Sequence, residues 1–447
     1  MRDIILLTFV GICLTAAIRH PYIGLITWAW FTLMTPHQAA FGVFGVPLNL
    51  LIASVTLLAY VISGEASRFK ADPITVLLIV FAGWLTISQA FSLDPQNSGL
   101  YYGRFIKTLV FILLCAQMAS GKLRFNALVW TSVLSIGFFA AKGAVFTFVT
   151  LGAYRVQGLP MTVLEDNNHF GIAVATMLPL MLYLRSQAAK PWLRMALLGL
   201  FCLSVIAIIG TQSRGAFLSL VGFCGFFWFR SKHKIAIVAG LSLLLIPTIM
   251  FMPSKWTDRM ATIGEATQDA SFMGRVDAWV INYKLAEQNP MTGAGLRNSY
   301  QEDIAKAVDR ERAERAKAAH SIYFEILGGA GFVGLIIYLS LFATAYLSAW
   351  RIAAARDNPA VAPWKASFAR YAQMSLVVFA IGGASTSMEM WDGYLIVIAL
   401  IAALAKLTPA EVRVRGYALK SVRGVNWRRK MRLKGLLGDD KPAESGV

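Results

Sequence analysis

His320 stands where the longest polar stretch of the chain gives way to the apolar run SIYFEILGGAGFVGLIIYL. A neutral imidazole near pH 7 can take a proton from a hydroxyl, so a histidine at such a seam could serve as a general base. The competing reading is an interfacial histidine that caps or packs. Arg214, in GTQSRGAFLSL, falls between two apolar runs joined by almost no loop. Its planar fork suits a diphosphate through paired, charge-assisted hydrogen bonds, and the small neighbours Ser213 and Gly215 would allow an anion close; the alternative is a snorkelling side chain. Arg259 in KWTDRM, Arg275 in SFMGRVDAW and Arg297 in GAGLRNSY lie in the polar stretch. Each could bind an anion or simply be solvated; Arg259 and Arg275 have Asp258 and Asp277 at hand for an ion pair. Lys142 sits deep in an apolar run, where an ammonium without a partner is costly and a cavity-lining role is the default expectation. Arg104 and Lys107 share one face of another apolar run. Together these cations could line an electropositive cavity suited to a phosphate-bearing lipid.

The elements that must position these residues are membrane helices. Of 447 residues, 57% are hydrophobic and only 15% charged, far below the quarter or so charged in soluble domains. Apolar runs long enough to cross about 30 Å of hydrocarbon recur throughout, and they lack the short alternating segments of a transmembrane barrel. The fold class is therefore all-α and polytopic. Candidate spans include Ile4–Ile18, Tyr22–Met34, Tyr102–Ala119, Ala127–Thr150, Ile235–Met252 and Ser321–Trp350. The whole set gives about 12 or 13 crossings, depending on whether the first two runs count separately. The first run, followed by Arg19-His20-Pro21 and without a small-residue cleavage site, reads as a retained segment.

Basic loops orient the set. Arg68 with Lys70, Lys122 with Arg124, Arg185 to Arg194 and Arg351 to Arg370 alternate with basic-poor loops, which places them and the basic tail in the cytoplasm. The net charge of +18 thus points to anionic lipid, not nucleic acid. Parity puts the polar stretch 253–319 outside, in the periplasm of a bacterium. The expected organisation is N-terminal transmembrane helices over 1–252, a large periplasmic loop over 253–319, C-terminal transmembrane helices over 320–407 and a cytoplasmic tail over 408–447. Within the loop, Ser299–Ala319 is free of Pro and Gly and rich in opposite charges three and four apart, such as Glu311 with Arg315, and reads as a charged helix. Asn289-Pro290 and Gly293-Ala294-Gly295 read as a loop punctuated by breakers.

The four cysteines lie singly in apolar runs and read as core residues. No His, Asp or Glu cluster has metal spacing, nor is there an acidic motif of a metal-dependent glycosyltransferase. A mechanism resting on a base and cations, without metal or cofactor, is the expectation.

Three blocks resemble the O-antigen ligase and polymerase superfamily of bacterial membrane glycosyltransferases: the SRGA turn with Arg214, GRVDAW followed by NPMTGAGLRNSY, and HSIYFEILGGAGFVGLIIYL beginning at His320. DNNHFGIAVATMLPL resembles the Asn-rich start of an earlier helix in that family. RHPYIGL and WAWFTLMTPH are similar to the branch described as O-glycosylation ligases associated with exosortase A. The resemblance implies an undecaprenyl-diphosphate-linked glycan as donor and transfer to an acceptor hydroxyl (on glycan, lipid or protein) at the periplasmic face of the inner membrane. Arg214 and Arg275 would hold the diphosphate, and His320 would act as base or orient the acceptor. A polymerase using a second lipid-linked glycan would suit the same residues. A lipid-linked glycan transporter would also want a basic cavity, but should need cytoplasmic as well as outer access, whereas these cations gather outside.

Overall fold

A computed structural model describes residues 1–43, 45–230, 270–359 and 361–407, with isolated residues between 234 and 246. Arg259, most of the expected span Ile235–Met252 and the basic tail beyond residue 407 lie outside the described residues.

The described chain is helical, with no strand. Its helices are α1 (Arg2–Arg19), α2 (Pro21–Met34), α3 (Leu48–Ile62), α4 (Pro73–Ala90), α5 (Pro95–Met118), α6 (Gly121–Val149), α7 (Asn167–Gln187), α8 (Pro191–Gly210), α9 (Arg214–Arg230), α10 (Ala270–Gln288), α11 (Glu302–Arg315), α12 (Ile322–Ala354), α13 (Pro363–Gly383) and α14 (Asp392–Lys406). Proline occupies the first position of α2, α4, α5, α8 and α13, where its missing N–H costs nothing and its fixed φ favours the helix. Asp72 and Asp94 cap α4 and α5 through their carboxylates, satisfying N–H groups that the helix leaves without partners. Capping at Asp94 starts α5 about two turns before the expected Tyr102. Among the described residues six elements are long and apolar enough to cross a membrane: α4 to α8 and the segment Ile322–Asp357 that contains α12. The protein is an all-α polytopic membrane protein.

The centre of the bundle is made by α7, α13 and α14. In α14 every residue from Gly393 to Leu404 is buried, the pattern of a helix that is apolar all round because it has no outer face. Phe379 of α13 stacks on Tyr394 of α14 with ring centroids 3.8 Å apart. Small residues let the backbones close: a Cβ on Gly215 would lie 2.0 Å from Ser385 Oγ, the kind of approach that drives helix association where lipid removes the hydrophobic incentive.

From residue 270 onward the polar stretch is more ordered than a loop. Residues 270–288 form a helix whose buried positions include Gly274, Asp277, Ala278, Ile281, Asn282 and Leu285. Their spacing follows one helical face, but that face mixes Gly, Asp and Asn with Ile and Leu, so it carries no clear apolar stripe. The charged helix is present over Glu302–Arg315, shorter than the expected Ser299–Ala319 and broken at Asp309. Its Glu311–Arg315 pair forms at 2.8 Å.

The breakers in the stretch have a specific use. Gly331 (φ 73°, ψ −176°) interrupts α12, and the Pro290–Gly295 segment packs into the gap. Ala294 N–H and Gly295 N–H donate to the carbonyls of Gly328 and Gly329 at 2.9 and 3.1 Å, and Phe332 N–H donates to the Pro290 carbonyl at 2.9 Å. Trp84 Nε1 and Ser88 Oγ of α4 complete the set on Ala330 and Gly329 at 3.0 Å each. Backbone groups freed by a broken membrane helix need such partners. A Cβ on Gly331 would lie 2.2 Å from the Met291 carbonyl oxygen, and the left-handed φ independently favours glycine.

Candidate functional site

His320 is held by α10 and by its own strained backbone. Lys317 N–H donates to the Gly274 carbonyl at 3.0 Å. Trp279 of α10 donates from Nε1 to the Ala319 carbonyl at 2.7 Å, and its ring stacks on Phe324 at 5.3 Å. His320 then takes φ 44°, an uncommon left-handed conformation for a residue with a side chain. Strain of this sort persists only where surroundings over-determine it, and it clusters at functional sites.

The ring lies against a second imidazole, that of His169, with centroids 6.1 Å apart. His169 is in the first turn of α7, which Asp166 caps by accepting from the N–H groups of Asn168 and His169 at 2.8 and 3.3 Å. Nδ1 of His169 is 2.9 Å from the Val163 carbonyl. A carbonyl can only accept, so in the neutral ring Nδ1 carries the proton and Nε2 keeps the lone pair. Among the described residues, His169 Nε2 and His320 Nδ1 are both buried without a hydrogen-bond partner. Such orphaned nitrogens are rare in native interiors and ask for an explanation.

Burial, and next to it the positive charge of Arg275, push the His320 pKa down to about 4; His169 and Arg297 add to the fall and Asp166 opposes it. His320 is therefore neutral at physiological pH. Asp277, two residues beyond Arg275 on α10, pairs with Arg312 at 2.6 Å and Arg315 at 3.3 Å. The charged helix thus supplies partners for Asp277.

Arg297 is committed to a frame of carboxylates. Its Nη2 lies 2.8 Å from Glu389 Oε1 and 3.2 Å from the Ser387 carbonyl, and its Nε 3.7 Å from Glu325 Oε2. Glu325 also accepts from Tyr300 and, at 2.8 Å, from Ser387. Burial and then the Glu325 charge raise the Tyr300 pKa, so its hydroxyl remains a donor. The role expected for Arg297, binding substrate directly, is not what this geometry favours, because its donors already face Glu325, Glu389, Ser387 and Tyr300.

Arg214 begins α9. Its neighbour Ser213 donates to Asn168 Oδ1 at 2.7 Å, and Asn167 Nδ2 donates to the Thr211 carbonyl at 2.8 Å. The α8–α9 turn is thus bonded to the first turn of α7, the turn that carries His169. Ser213 and Gly215 are spent on packing, against Asn168 and Ser385, and do not provide the open anion approach read from the sequence.

A cavity of about 540 Å³ has walls that include Arg104, Lys107, His37, Val163, Phe170 and Asp392, and His320, Arg214, Arg275 and Arg297 are not among its lining residues. Val163 connects it to His169 directly. Arg104 and Lys107 therefore do share a cavity, and Arg104 is close enough to Asp392 for their charges to attract. Lys142 is exposed on α6 and is not part of the cavity wall; as a residue two turns from the end of a long helix it can extend along the surface towards water. Among the described residues no three His, Cys, Asp or Glu side chains converge as a metal site. His169, Glu325 and His37 are additions that the sequence reading did not single out. The signal for the first was an Asp-Asn-Asn-His helix start, and for the second a carboxylate inside an apolar run.

Comparison with known proteins gives three findings. Residues 198–339 match the family described as O-Antigen ligase. Residues 1–189 match a family of unknown function (DUF5935). The chain is 23% identical over 326 residues to a protein of Pseudomonas aeruginosa named O-antigen ligase, covering 70% of this chain and 73% of that one.

Proposed function

We propose that this chain, which belongs to the O-antigen ligase superfamily of membrane enzymes, transfers a glycan from an undecaprenyl-diphosphate donor to an acceptor hydroxyl on the periplasmic side of the inner membrane. The observation that carries this reading is a neutral histidine with a buried lone pair, His320, set beside the charge of Arg275 and against His169, whose hydrogen-bond partner Val163 lines a cavity with Arg104 and Lys107. In the transfer, the acceptor oxygen bonds to the anomeric carbon on the face opposite the diphosphate. Its proton passes to the free nitrogen of His320. The bond from that carbon to the diphosphate oxygen breaks, and the electron pair leaves with the diphosphate. Charge grows on the leaving group in the transition state, so fixed cations aimed there lower the barrier. Arg214 and Arg275 are assigned to that role, with Arg104 and Lys107 along the cavity wall. Arg297 holds the site together through Glu325 and Glu389 instead of touching the donor.

The test is product analysis with purified protein, a lipid-diphosphate glycan and a panel of acceptors. His320→Ala should lose product by about 10²- to 10⁴-fold, the usual worth of a positioned base, with donor binding kept. Arg214→Ala should weaken donor binding by roughly 10- to 100-fold, as expected for charge-assisted hydrogen bonds of about 1.5–3 kcal/mol, and Arg214→Lys by less. Unchanged product formation by His320→Ala would remove the base assignment, and unchanged donor binding in both Arg214 variants would remove the diphosphate assignment.

A further inference from the structure

Three residues in the wall of the cavity of about 540 Å³ each hold a buried polar atom that has no hydrogen-bond partner among the described residues: Thr32 Oγ1, His37 Nδ1 and Asn49 Oδ1. They come from consecutive pieces of chain. Thr32 is in the last turn of α2, His37 in the short 3₁₀ turn Pro36–Ala39, and Asn49 in the first turn of α3. Thr35, at φ 45°, makes the bend between the first two, and the His37 ring lies parallel to that of Phe31 with centroids 5.7 Å apart. Other polar groups of the same wall are spent within the protein. Gln38 Nε2 donates to the Met161 carbonyl at 3.4 Å, Thr108 to Asp392 Oδ1 at 3.3 Å and Thr162 to the Leu159 carbonyl at 2.7 Å.

Buried polar atoms without partners are costly and uncommon, and three on one cavity wall ask for a common cause. A single χ rotation redirects a threonine hydroxyl or an asparagine amide, so a ligand in the cavity can supply what the protein does not. The atoms also say what kind of ligand. Asn49 Oδ1 can only accept, Thr32 Oγ1 can donate or accept, and a neutral His37 Nδ1 does one or the other. A hydroxyl meets all three requirements because it both donates and accepts. An alkyl chain meets none, and an anion cannot donate to the Asn49 oxygen. The rest of the wall is aromatic: it includes Trp28, Phe111 and Trp391, with the Trp28 and Phe111 rings 4.9 Å apart. A mostly apolar lining with a few placed polar groups, in a volume within about 300–1,000 Å³, is the usual build of a small-ligand site. A ring that carries hydroxyls on its edge and C–H groups on its faces fits both parts of this wall.

We propose that this cavity binds a sugar residue through its hydroxyls, with Thr32, His37 and Asn49 as the residues that read them. The choice of a sugar rests on the transfer reading above. The three residues lie within 1–189, the part that matches the family of unknown function, and the proposal gives that part the task of glycan recognition. Saturation-transfer NMR on the full chain, in a detergent without a sugar headgroup, tests it with glucose, N-acetylglucosamine and glucuronic acid as probes. At least one should bind, and Thr32→Val/Asn49→Leu should weaken that binding by roughly 25-fold, at about 5-fold for each neutral hydrogen bond lost. Thr15→Val, at an exposed threonine of α1 outside the wall, should leave it unchanged. Because the double variant removes buried atoms that lack partners, its unfolding temperature without sugar should hold or rise; a fall would mark the two residues as structural and overturn the proposal. Equal binding by the double variant, or binding of none of the three probes, would also overturn it. In the transfer assay the double variant should raise KM for the lipid-diphosphate glycan if the cavity takes the donor's sugar, and for the acceptor if it takes the acceptor's. Transfer with both KM values unchanged would overturn its use as a substrate site. Sugar binding by an unaltered chain that transfers nothing would instead overturn the transfer reading and leave the sugar site standing.

Discussion

The depressed pKa of His320 has a kinetic consequence that separates free enzyme from the donor complex. In the free protein the imidazolium form is disfavoured first by burial and then by Arg275, moving the pKa from 6.5 to about 4. That fall corresponds to roughly 3 kcal/mol against the charged ring. A base with so low a pKa is neutral and available across physiological pH, but it is a weak proton acceptor. A bound diphosphate changes this. One net negative charge at about 6 Å and an effective dielectric of about 20 contributes roughly 3 kcal/mol in favour of the imidazolium, or about two pH units. The donor should therefore raise the pKa of His320 towards neutrality and make it a competent base only when there is something to transfer.

Because only the neutral ring accepts a proton, activity should rise with pH through the relevant pKa. The acid limb of kcat/KM reports the free enzyme and that of kcat the donor complex. The expected result is a kcat/KM limb near pH 4, flat above about pH 5, and a kcat limb about two units higher. Product formation from a lipid-diphosphate glycan, followed at saturating and limiting donor, measures both. Arg275→Gln should lift the kcat/KM limb, since it removes the second largest cause of the depression. Coincident limbs for kcat and kcat/KM, or an unchanged acid limb in the residual activity of His320→Ala, would refute this account of the site.

Two further outcomes concern the frame of the site. Arg297→Gln leaves Glu325 and Glu389 buried without their shared cation, and loss of one partner of a buried ionic cluster costs about 3–5 kcal/mol. Its unfolding temperature in detergent should fall clearly, and adding Glu389→Gln should recover part of the loss; a variant that melts like the unaltered chain would show that the cluster carries no such weight. Gly331→Ala should destabilise the contact between α12 and the Pro290–Gly295 segment, because its Cβ would meet the Met291 carbonyl and its φ is left-handed. Faster hydrogen exchange confined to that contact would be the signature, and unchanged exchange there would count against the broken-helix interpretation.

Much of the fold could be read from the chain because membrane spans are long and apolar, and their ends carry proline, aspartate or basic residues. His320 and Arg214 are visible as titratable or charged groups at the edges of such runs, and Arg275 as one within the polar stretch. What the chain conceals is which polar groups meet. His169 reads as part of a helix start, since Asp166 supplies an ordinary cap and nothing local says that the ring turns to His320. Arg297 reads as a solvated loop arginine because its partners lie 28 and 92 residues away, at Glu325 and Glu389. The α10 helix escapes an apolar-periodicity search because its buried face includes Asp277 and Asn282, each satisfied by a partner: Asp277 by Arg312, and Asn282 through its Nδ2 by the Ala278 carbonyl. Lys142 fails in the opposite direction. Depth in the apolar run was legible, but which side of α6 it faces was not.

The polar stretch that interrupts the apolar pattern therefore acts as structure as much as cover. A lid over a cavity would need few bonds to the bundle, so that it could open. Here the Pro290–Gly295 segment exchanges backbone hydrogen bonds with α12 at its break, and Asn298 donates to Ser92 Oγ and to the Asp94 and Ala294 carbonyls. Arg297, one residue earlier, reaches Glu325 on α12 and Glu389 before α14. These contacts fix the start of α12 from two sides, and α10 fixes residues 317–320 from a third. A histidine at φ 44° would relax if any of these supports were soft. Its retention in a strained conformation, with an unsatisfied nitrogen and its ring against His169, is the physical reason to place the proposed chemistry at the junction of stretch and bundle and not on the exposed charges of α11.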